Sequence, residues 1–194
     1  MGQRLTSSIY LNDEEIAKVY YHWSAYYISS LEEAMKFIDL FENPAANYLP
    51  SYDYKLRCIR IVEKIGGGID QTKHEPKAIQ MQYPNKKFKK SNISRNEGLI
   101  AITPQGMYEL DRWSEGQIDI DFDERVVHNC LPSVFNDKEE MEDFVNSNDI
   151  KIDEIVELDF DPCEIPFDRL DDAIEVSKGH ENKIFVFEGT YFYL

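Results

Sequence analysis

Two short stretches of the sequence place a histidine near a side chain that could act as a nucleophile. His128 and Cys130 lie two residues apart, and His22 and Ser24 have the same spacing. A base beside a thiol or a hydroxyl is the arrangement that activates a nucleophile. The GxSxG pattern of a nucleophile elbow is absent, and no third group can be assigned to orient either histidine. We therefore assign no catalytic residue. A small hydrolase or nucleotide-handling enzyme that uses His22, His128 or Cys130 is the alternative.

Carboxylates recur at alternate positions in two runs: Asp119, Asp121 and Asp123, and then Asp159 and Asp161. A calcium loop of the EF-hand type needs glycine at its sixth position and glutamate at its twelfth. In the first run these positions hold Glu124 and Cys130, and the second run lacks the glycine and the closing glutamate as well. We therefore expect neither a metal site nor a bound cofactor.

The first run also fits a row of charges on a β-strand. If Ile118, Ile120 and Phe122 point into the core, the three aspartates project from the outer face at intervals of about 6.6–6.8 Å. A rigid row of carboxylates is one way to imitate a phosphate backbone. One DNA strand repeats every ~3.4 Å along its axis, so the match is one of scale only. The alternative is a solvated strand face whose charges discourage edge pairing.

The densest aromatic stretch runs from Tyr20 to Tyr27. On a strand, Tyr20, His22, Ser24 and Tyr26 would share the face opposite Trp23. If one face covers helices, the other would expose tyrosines and a histidine as a binding surface, since tyrosine and tryptophan are enriched in recognition patches. The alternative is a sheet that is buried on both faces.

Charge is distributed very unevenly along the 194 residues, whose formal net charge is -16. Residues 1–100 hold 14 Lys/Arg and 12 Asp/Glu, whereas residues 101–194 hold 7 Lys/Arg and 25 Asp/Glu. Nucleic acid and anionic membranes repel so acidic a chain. We therefore expect a basic protein as partner, with no direct binding to nucleic acid or membrane. An acidic surface kept for solubility is the alternative.

The cysteines and the apolar segments point to an intracellular protein. Cys58, Cys130 and Cys163 are odd in number and widely spaced, which argues against a disulfide framework. No stretch approaches the ~20 apolar residues of a membrane span, and the first 28 residues lack the apolar core of a secretion signal. Reduced thiols in a cytoplasm are the simplest interpretation.

The elements that must position these side chains follow from the residue patterns. Alternation over residues 4–11 and 16–27 around a polar turn predicts a β-hairpin. Ser30 and Glu33 match a capping box, which predicts a helix from residue 31 to 41. A second helix is expected from Pro50 to Ile65, where the glycines 66–68 stop it. Residues 70–97 are expected to form a mobile loop or loose hairpin, with 78–83 as a possible strand.

The second half of the chain mixes strands and helices without βαβ alternation. Strands are expected over residues 98–103, 117–127, 154–160 and 183–194, and helices over 104–115, the region after Asn136, and 167–177. This order favours an α+β fold in a single domain, residues 1–194, with a mostly antiparallel sheet and helices packed on one side.

Three short blocks carry a resemblance to known proteins. They are Met1-Gly2-Gln3-Arg4-Leu5, then Tyr20-Tyr21-His22-Trp23-Ser24-Ala25-Tyr26, and the block Arg95-Asn96-Glu97-Gly98-Leu99-Ile100-Ala101, which runs on to Trp113. In these blocks the chain resembles uncharacterised small accessory proteins of phages and prophages of Gram-positive bacteria. The resemblance implies a phage protein that works in the cytoplasm of a bacterial host, and it implies no active site.

These observations favour an acidic, phage-encoded protein that binds and inhibits a host protein. One version is a counter-defence inhibitor that mimics nucleic acid and occupies a nuclease or DNA-binding protein. The candidate binding residues are Asp119, Asp121, Asp123, Glu124, Asp159, Asp161, Tyr20, His22 and Tyr26. Besides the enzyme, a further alternative is a virion or assembly component whose tyrosines join subunits, and the oligomeric state stays open.

Overall fold

The structure is a computed structural model that describes residues 3–43, 49–50, 52–71, 75–91 and 98–194. Its strands are β1 Leu5–Leu11, β2 Glu14–Tyr21, β3 Gly68–Asp70, β4 Lys90–Ser91, β5 Leu99–Ala101, β6 Gly116–Asp121, β7 Val126–Asn129, β8 Ser133–Phe135, β9 Glu154–Glu157, β10 Glu164–Pro166, β11 Lys183–Phe187 and β12 Thr190–Tyr193. Its α-helices are α1 Tyr27–Glu42, α2 Tyr54–Lys64, α3 Glu75–Gln82, α4 Pro104–Asp111, α5 Lys138–Ser147 and α6 Leu170–Ser177. Among the helices in the described ranges, none has the combined length and apolarity that crossing a lipid bilayer requires.

The larger sheet has the strand order β10-β7-β6-β1-β2-β5-β3-β4. The expected β1–β2 hairpin lies at its centre, with Leu5 opposite Tyr21. On its other side β1 runs parallel to β6, so that Ser8 lies beside Asp119. β6 and β7 form a second hairpin, which β10 extends. This order brings residues that are over a hundred positions apart onto one sheet face.

A smaller sheet with the order β8-β12-β11-β9 follows in the last third of the chain. Within the two sheets, the described strands form six antiparallel pairings and four parallel pairings. The predicted α+β class with mostly antiparallel strands is therefore confirmed, although the strands divide between two sheets where one was expected.

The main core covers one face of the larger sheet with α1, α2 and α6. Leu31, Phe37 and Ile61 from the helices pack there against Val19 and Ile118 from the strands. A second core lies on the opposite face, where α4 covers β2 and β5; its members are Tyr20, Leu99, Ala101, Met107 and Leu110. The expectation of helices on one side was therefore wrong for α4. The physical reason is that neighbouring residues of β2 are both large and aromatic, so each face of that strand needs cover.

The first helix begins earlier than the capping signal indicated. β2 ends at Tyr21 and α1 begins at Tyr27, so the aromatic stretch is not one strand. Ser30 lies inside α1, where its hydroxyl donates to the carbonyl of Tyr27 at 2.7 Å. The predicted capping box is therefore wrong, because Tyr27 is buried and extends the apolar stripe of α1 by one turn towards the N-terminus.

The strand expected over residues 117–127 is two strands joined by a tight turn. β6 ends at Asp121, whose Oδ1 accepts hydrogen bonds from the N–H groups of Asp123 at 2.8 Å and Glu124 at 2.9 Å. Arg125 then adopts a left-handed conformation with φ of 59°. An aspartate that binds the backbone N–H groups two and three residues ahead is a common way to reverse a chain.

The segment 70–97 contains regular structure where a loop was expected. α3 occupies residues 75–82, and β4 occupies residues 90–91. The possible strand at 78–83 is helical instead, because Ile79 and Tyr83, four residues apart, both pack against the main core. Residues 72–74 and 92–97 lie outside the described ranges, and the mobility of the segment stays a prediction.

Candidate functional site

A row of polar side chains crosses the larger sheet on the face that carries α4. His128, Asp119, Ser8 and Lys18 are successive neighbours across β7, β6, β1 and β2. At the far end of the row, the Oε1 atom of Glu164 on β10 lies 3.8 Å from Nδ1 of His128. On this face α4 packs against β2 and β5. The row therefore opens to solvent at its β10 end.

A second row follows one step along the strands. Asp121, Tyr10 and Glu15 are neighbours across β6, β1 and β2. The side chains of these residues and of Asp119 and His128 are partly exposed, and that of Glu164 is exposed. We call this surface the acidic sheet face and define it as Tyr10, Glu15, Asp119, Asp121, His128 and Glu164.

Hydrogen bonds fix the aspartate side chains of the β6–β7 hairpin. Oδ1 of Asp119 accepts from the side-chain amide of Gln117 at 2.9 Å. Asp121 accepts the two turn N–H groups described above. Oδ2 of Asp123 accepts from the backbone N–H of Asp13, in the neighbouring β1–β2 turn, at 3.0 Å. Carboxylates that are already ordered lose little side-chain entropy when a cation binds them.

The negative charge of this face contributes to raised pKa values of two side chains, Tyr10 and Cys130. Burial raises the pKa of the Tyr10 hydroxyl, and the carboxylates of Asp119 and Glu15 raise it further. Partial burial also raises the pKa of the Cys130 thiol, and Asp119 adds to the effect. In both cases a negative charge makes a second negative charge costly. The surface is therefore suited to cations.

Lys18 is a buried cation beside the acidic sheet face, and its charge is already neutralised. Its Nζ lies 2.5 Å from Oδ1 of Asp111 on α4 and 3.1 Å from Oε1 of Glu15. Burial lowers the pKa of Lys18, but the hydrogen bond to Asp111 and the charge of Glu15 outweigh it, so that its pKa is raised overall. Lys18 therefore stays protonated and leaves the other carboxylates uncompensated.

The expected row of three aspartates is only partly present. Ile118 and Ile120 are buried and Asp119 and Asp121 point outward, as predicted. Asp123 lies in the turn rather than on the strand, so the regular spacing of three charges was wrong. The strand ends before Phe122, whose ring stacks on that of Phe41 in α1, with 4.0 Å between the ring centroids. Glu124 lies in the same turn and is exposed.

The second acidic run lies in the loop between β9 and β10. Oδ1 of Asp159 is 2.7 Å from Nη2 of Arg169, and this ion pair lowers the pKa of Asp159. Oδ1 of Asp161 accepts from the backbone N–H of Cys163 at 2.8 Å. Both carboxylates are therefore engaged in local structure.

The predicted aromatic surface divides between core and solvent. Tyr20 is fully buried under α4, as the alternative of two-sided burial expected, and its hydroxyl lies 3.0 Å from Nδ1 of His22. His22 is partly exposed and packs edge-on against Trp23, with ring centroids 4.7 Å apart. Tyr26 is 54% exposed at the position that precedes α1. Only His22 and Tyr26 of the three predicted residues can therefore meet a partner.

An exposed stripe on α4 was missed by the sequence analysis. Its residues line a groove of about 520 Å³ and are Gln105, Tyr108, Glu109, Arg112 and Trp113. Tyr108 is 61% exposed and Trp113 is 50% exposed. Arg112 and Trp113 lie just beyond the end of α4 at Asp111. Asp111, on the same helix, reaches Lys18, which also pairs with Glu15 of the acidic sheet face.

The structure does not bring His22, His128 and Cys130 together. β1 and β6 lie between β2, after which His22 follows, and β7, which carries His128. Three inter-strand steps of ~4.8 Å separate the two strands by about 14 Å. A reactive cysteine needs a lowered pKa, whereas the pKa of Cys130 is raised. The structure therefore separates His22 from His128, and the raised pKa of Cys130 disfavours its thiolate form.

A buried carboxylate lies where the parallel strands β3 and β5 end, which is a common position for ligand sites. Oε1 of Glu75 accepts from the N–H groups of Ile102 at 2.5 Å and Thr103 at 3.2 Å. Its Oε2 accepts from the hydroxyl of Thr103, which in turn accepts from the N–H of Gly106 at 3.1 Å. Glu75 thus occupies the N-terminus of α4, where an anionic ligand would otherwise bind.

No group of three or more His, Cys, Asp and Glu residues in the described ranges is arranged to hold a metal ion. Comparison of the chain with protein-family models, curated proteins and solved structures found no match.

Proposed function

We propose that this protein acts by binding a basic partner protein through the acidic sheet face. The observation that carries the proposal is the set of ordered carboxylates on a sheet face that helices leave largely uncovered. Asp119 and Asp121 are held by hydrogen bonds, and Lys18, the nearby cation, is already paired. Electrostatic complementarity of this kind steers a basic partner and fixes its orientation.

The chemistry of the surface favours a protein over other ligands. Nucleic acid would be repelled by the carboxylates, as the net charge also requires. The α4 stripe supplies Tyr108, Arg112 and Trp113, and tyrosine, arginine and tryptophan are the residues most enriched among binding hot spots. An acidic patch bordered by exposed aromatic side chains suits the lysine and arginine side chains of a protein surface.

The partner class follows from the charge of the face and from the resemblance to phage proteins. We propose a host protein with a cationic channel, such as a nuclease or another DNA-binding protein in the bacterial cytoplasm. Occupation of that channel would exclude nucleic acid and inhibit the host protein. Asp119 and Asp121, which point outward from β6, would take the place of phosphate groups of the nucleic acid, although their spacing does not repeat that of a phosphate backbone.

The experiment is a capture of proteins from host lysate by three immobilised forms of the chain. They are the wild type, an Asp119→Asn/Glu164→Gln variant, and a control with Glu139→Gln and Asp143→Asn, which removes two exposed charges from α5. We expect the wild type and the control to capture the same basic, nucleic-acid-binding protein at low salt, and the acidic-face variant to lose it. Equal capture by all three forms would refute the proposed surface.

A further inference from the structure

A groove of about 530 Å³ opens where β1 and β6 end. Leu11, the last residue of β1, and Phe122, which follows β6, line this groove and pack against the main core. Tyr10 and Asp121, the residues that precede them, belong to the acidic sheet face. Because successive side chains along a strand point to opposite faces, the groove lies on the other side of the sheet from the acidic sheet face.

Three aromatic rings form one wall of the groove. Phe41, near the end of α1, stacks on Phe122, with 4.0 Å between ring centroids, and on Tyr54 of α2, with 6.1 Å. The planes of these two pairs are inclined by 30° and 23°. Tyr54 is 39% exposed, and Phe122 is partly exposed. The wall therefore offers flat apolar surface, on which a planar ring such as a nucleic acid base can stack.

Arg57 of α2 brings a positive charge to this wall. Its guanidinium carbon lies 5.1 Å from the centroid of the Phe41 ring. The guanidinium donates to the backbone carbonyls of Phe41 and, at 3.5 Å, of Pro50. Both acceptors are neutral, and the buried Nε has no acceptor among the described residues. These contacts therefore leave the charge of Arg57 without a counter-charge, although the formal net charge of the chain is -16.

Arg125 supplies a second guanidinium, which is paired with Glu42. Its Nη1 and Nη2 donate to the two carboxylate oxygens, the second at 3.2 Å. Both side chains are exposed, so the pair adds little stability and can exchange for another anion. A phosphate accepts the same forked pair of hydrogen bonds as a carboxylate. With two arginines and one glutamate, the lining of the groove carries a net positive charge.

The aromatic wall and the two arginines together select the ligand. A ring without charge would leave the guanidinium groups unused, and a small anion without a ring would leave the aromatic wall exposed to water. A nucleotide carries both groups, and the groove has the roughly 300–1,000 Å³ that small-molecule sites need. A long nucleic acid fits less well, because its further phosphates would meet the acidic remainder of the surface.

We propose that this groove binds a nucleotide. The base stacks against Tyr54 and Phe122, and the phosphate pairs with Arg57 and with Arg125, which exchanges Glu42 for the ligand. The proposal concerns binding only and assigns no reaction. The groove is separate from the acidic sheet face, and its occupation does not depend on the function proposed there.

The test is isothermal titration calorimetry of the full chain with AMP, GMP, CMP and UMP. The matching nucleosides and ribose 5-phosphate are the controls, because each lacks one of the two groups that the groove recognises. We expect at least one nucleotide to bind about tenfold or more tightly than its nucleoside and than ribose 5-phosphate. The absence of binding by all four nucleotides would overturn the proposal. Binding of ribose 5-phosphate as tight as that of the nucleotides would also overturn it.

A gain of affinity is the sharpest prediction, because a poorly folded variant cannot produce it. Glu42→Gln removes the carboxylate that competes for Arg125 and should tighten nucleotide binding by about threefold or more. Glu139→Gln is the matched control, since it removes one exposed charge from α5. Equal tightening by both variants would show that the overall charge governs binding, and it would contradict the assignment to this groove.

Two losses of affinity locate the ligand. Arg125→Gln and Tyr54→Leu should each weaken binding by about fivefold or more, because they remove a phosphate contact and a stacking surface. Arg112→Gln, an exposed arginine of the α4 stripe, is the control and should leave binding unchanged. Wild-type affinity in both Arg125→Gln and Tyr54→Leu would overturn the site.

The Asp119→Asn/Glu164→Gln variant separates the two proposals. It should bind the nucleotide as the wild type does, because its changes lie on the opposite side of the sheet. Tightening in this variant as large as that in Glu42→Gln would contradict a local site in the groove. Failure of the nucleotides to bind would overturn the groove alone, since the test of the acidic sheet face uses a captured protein.

Discussion

Asp119 and His128 lie directly opposite each other on the antiparallel strands β6 and β7. Side chains so placed have Cβ atoms about 4.5–5.5 Å apart. Glu164 lies on the other side of His128, so two carboxylates flank the imidazole. The arrangement joins the β6–β7 hairpin to the later strand β10, and it defines the centre of the surface that we propose binds a partner.

The two tryptophans make the α4 stripe directly testable. Trp113 belongs to the stripe and Trp23 does not, although each is about half exposed. In a Trp23→Phe variant, Trp113 is the remaining tryptophan of the chain and reports on the stripe alone. We predict that binding of the captured partner shifts its fluorescence emission to shorter wavelength and protects it from acrylamide quenching. In the matched Trp113→Phe variant, the emission of Trp23 should stay unchanged on binding.

The aspartates of the β6–β7 hairpin should differ in their effect on stability. Asp121 accepts two backbone N–H groups of the turn, whereas Asp119 accepts only a side-chain amide. We predict that Asp121→Ala lowers the free energy of unfolding by about 1–2 kcal/mol, as expected for the loss of exposed hydrogen bonds to a charged group. Asp119→Ala should cost less than about 0.5 kcal/mol. Urea unfolding measures both, and equal losses would show that Asp121 does not hold the turn.

Gly106 should be intolerant of a side chain. A Cβ at this position would lie 2.8 Å from Cδ of Glu75 and closer still to Oε2. We predict that Gly106→Ala lowers the free energy of unfolding by about 1–3 kcal/mol, the usual cost of overpacking. Gln105→Ala, on the exposed side of the same helix, is the control and should have little effect. A Gly106→Ala variant as stable as the wild type would mean that Glu75 can leave the helix terminus at little cost.

The buried Glu75 should make stability depend on pH. Burial raises its pKa, and the hydrogen bonds from Thr103 and Ile102 only partly oppose this shift. A carboxyl whose pKa is raised by folding stabilises the protein below its unfolded-state pKa of ~4.3. That stabilisation is lost as the pH rises through the higher folded-state pKa. The wild type should therefore lose stability relative to Glu75→Gln as the pH rises above about 4.

Chemical unfolding of both proteins at low concentration checks this difference. The comparison with Glu75→Gln cancels the repulsion among the other carboxylates, which also grows with pH in so acidic a chain. A wild type that instead gains stability relative to Glu75→Gln as the pH rises would indicate that the hydrogen bonds to the ionised carboxylate outweigh the cost of its burial.

Much of the fold could be predicted from residue patterns. The alternation around Asn12 and Asp13 identified the β1–β2 hairpin, and the apolar stripe from Leu31 to Phe41 identified most of α1. These signals are local, because each depends on residues that are neighbours in one element. The burial of Tyr20 under α4 is different, since it depends on which helix crosses which strand, and that is a property of the tertiary structure.

The candidate site could be predicted only in part, for the same reason. The outward positions of Asp119 and Asp121 follow from the buried Ile118 and Ile120. Their neighbours Ser8 and Tyr10 could not be identified, because the parallel pairing of β1 with β6 joins segments over a hundred residues apart. Glu75 was missed because its hydrogen-bond partners, Ile102 and Thr103, are distant in sequence.

The most direct test is a titration of the purified captured partner with the wild type, the Asp119→Asn/Glu164→Gln variant, and the Glu139→Gln/Asp143→Asn control, each at low and high salt. We predict that the acidic-face variant binds about tenfold or more weakly at low salt and depends less on salt, whereas the control matches the wild type. Equal affinity and equal salt dependence for all three proteins would contradict the claim that the acidic sheet face binds a basic partner.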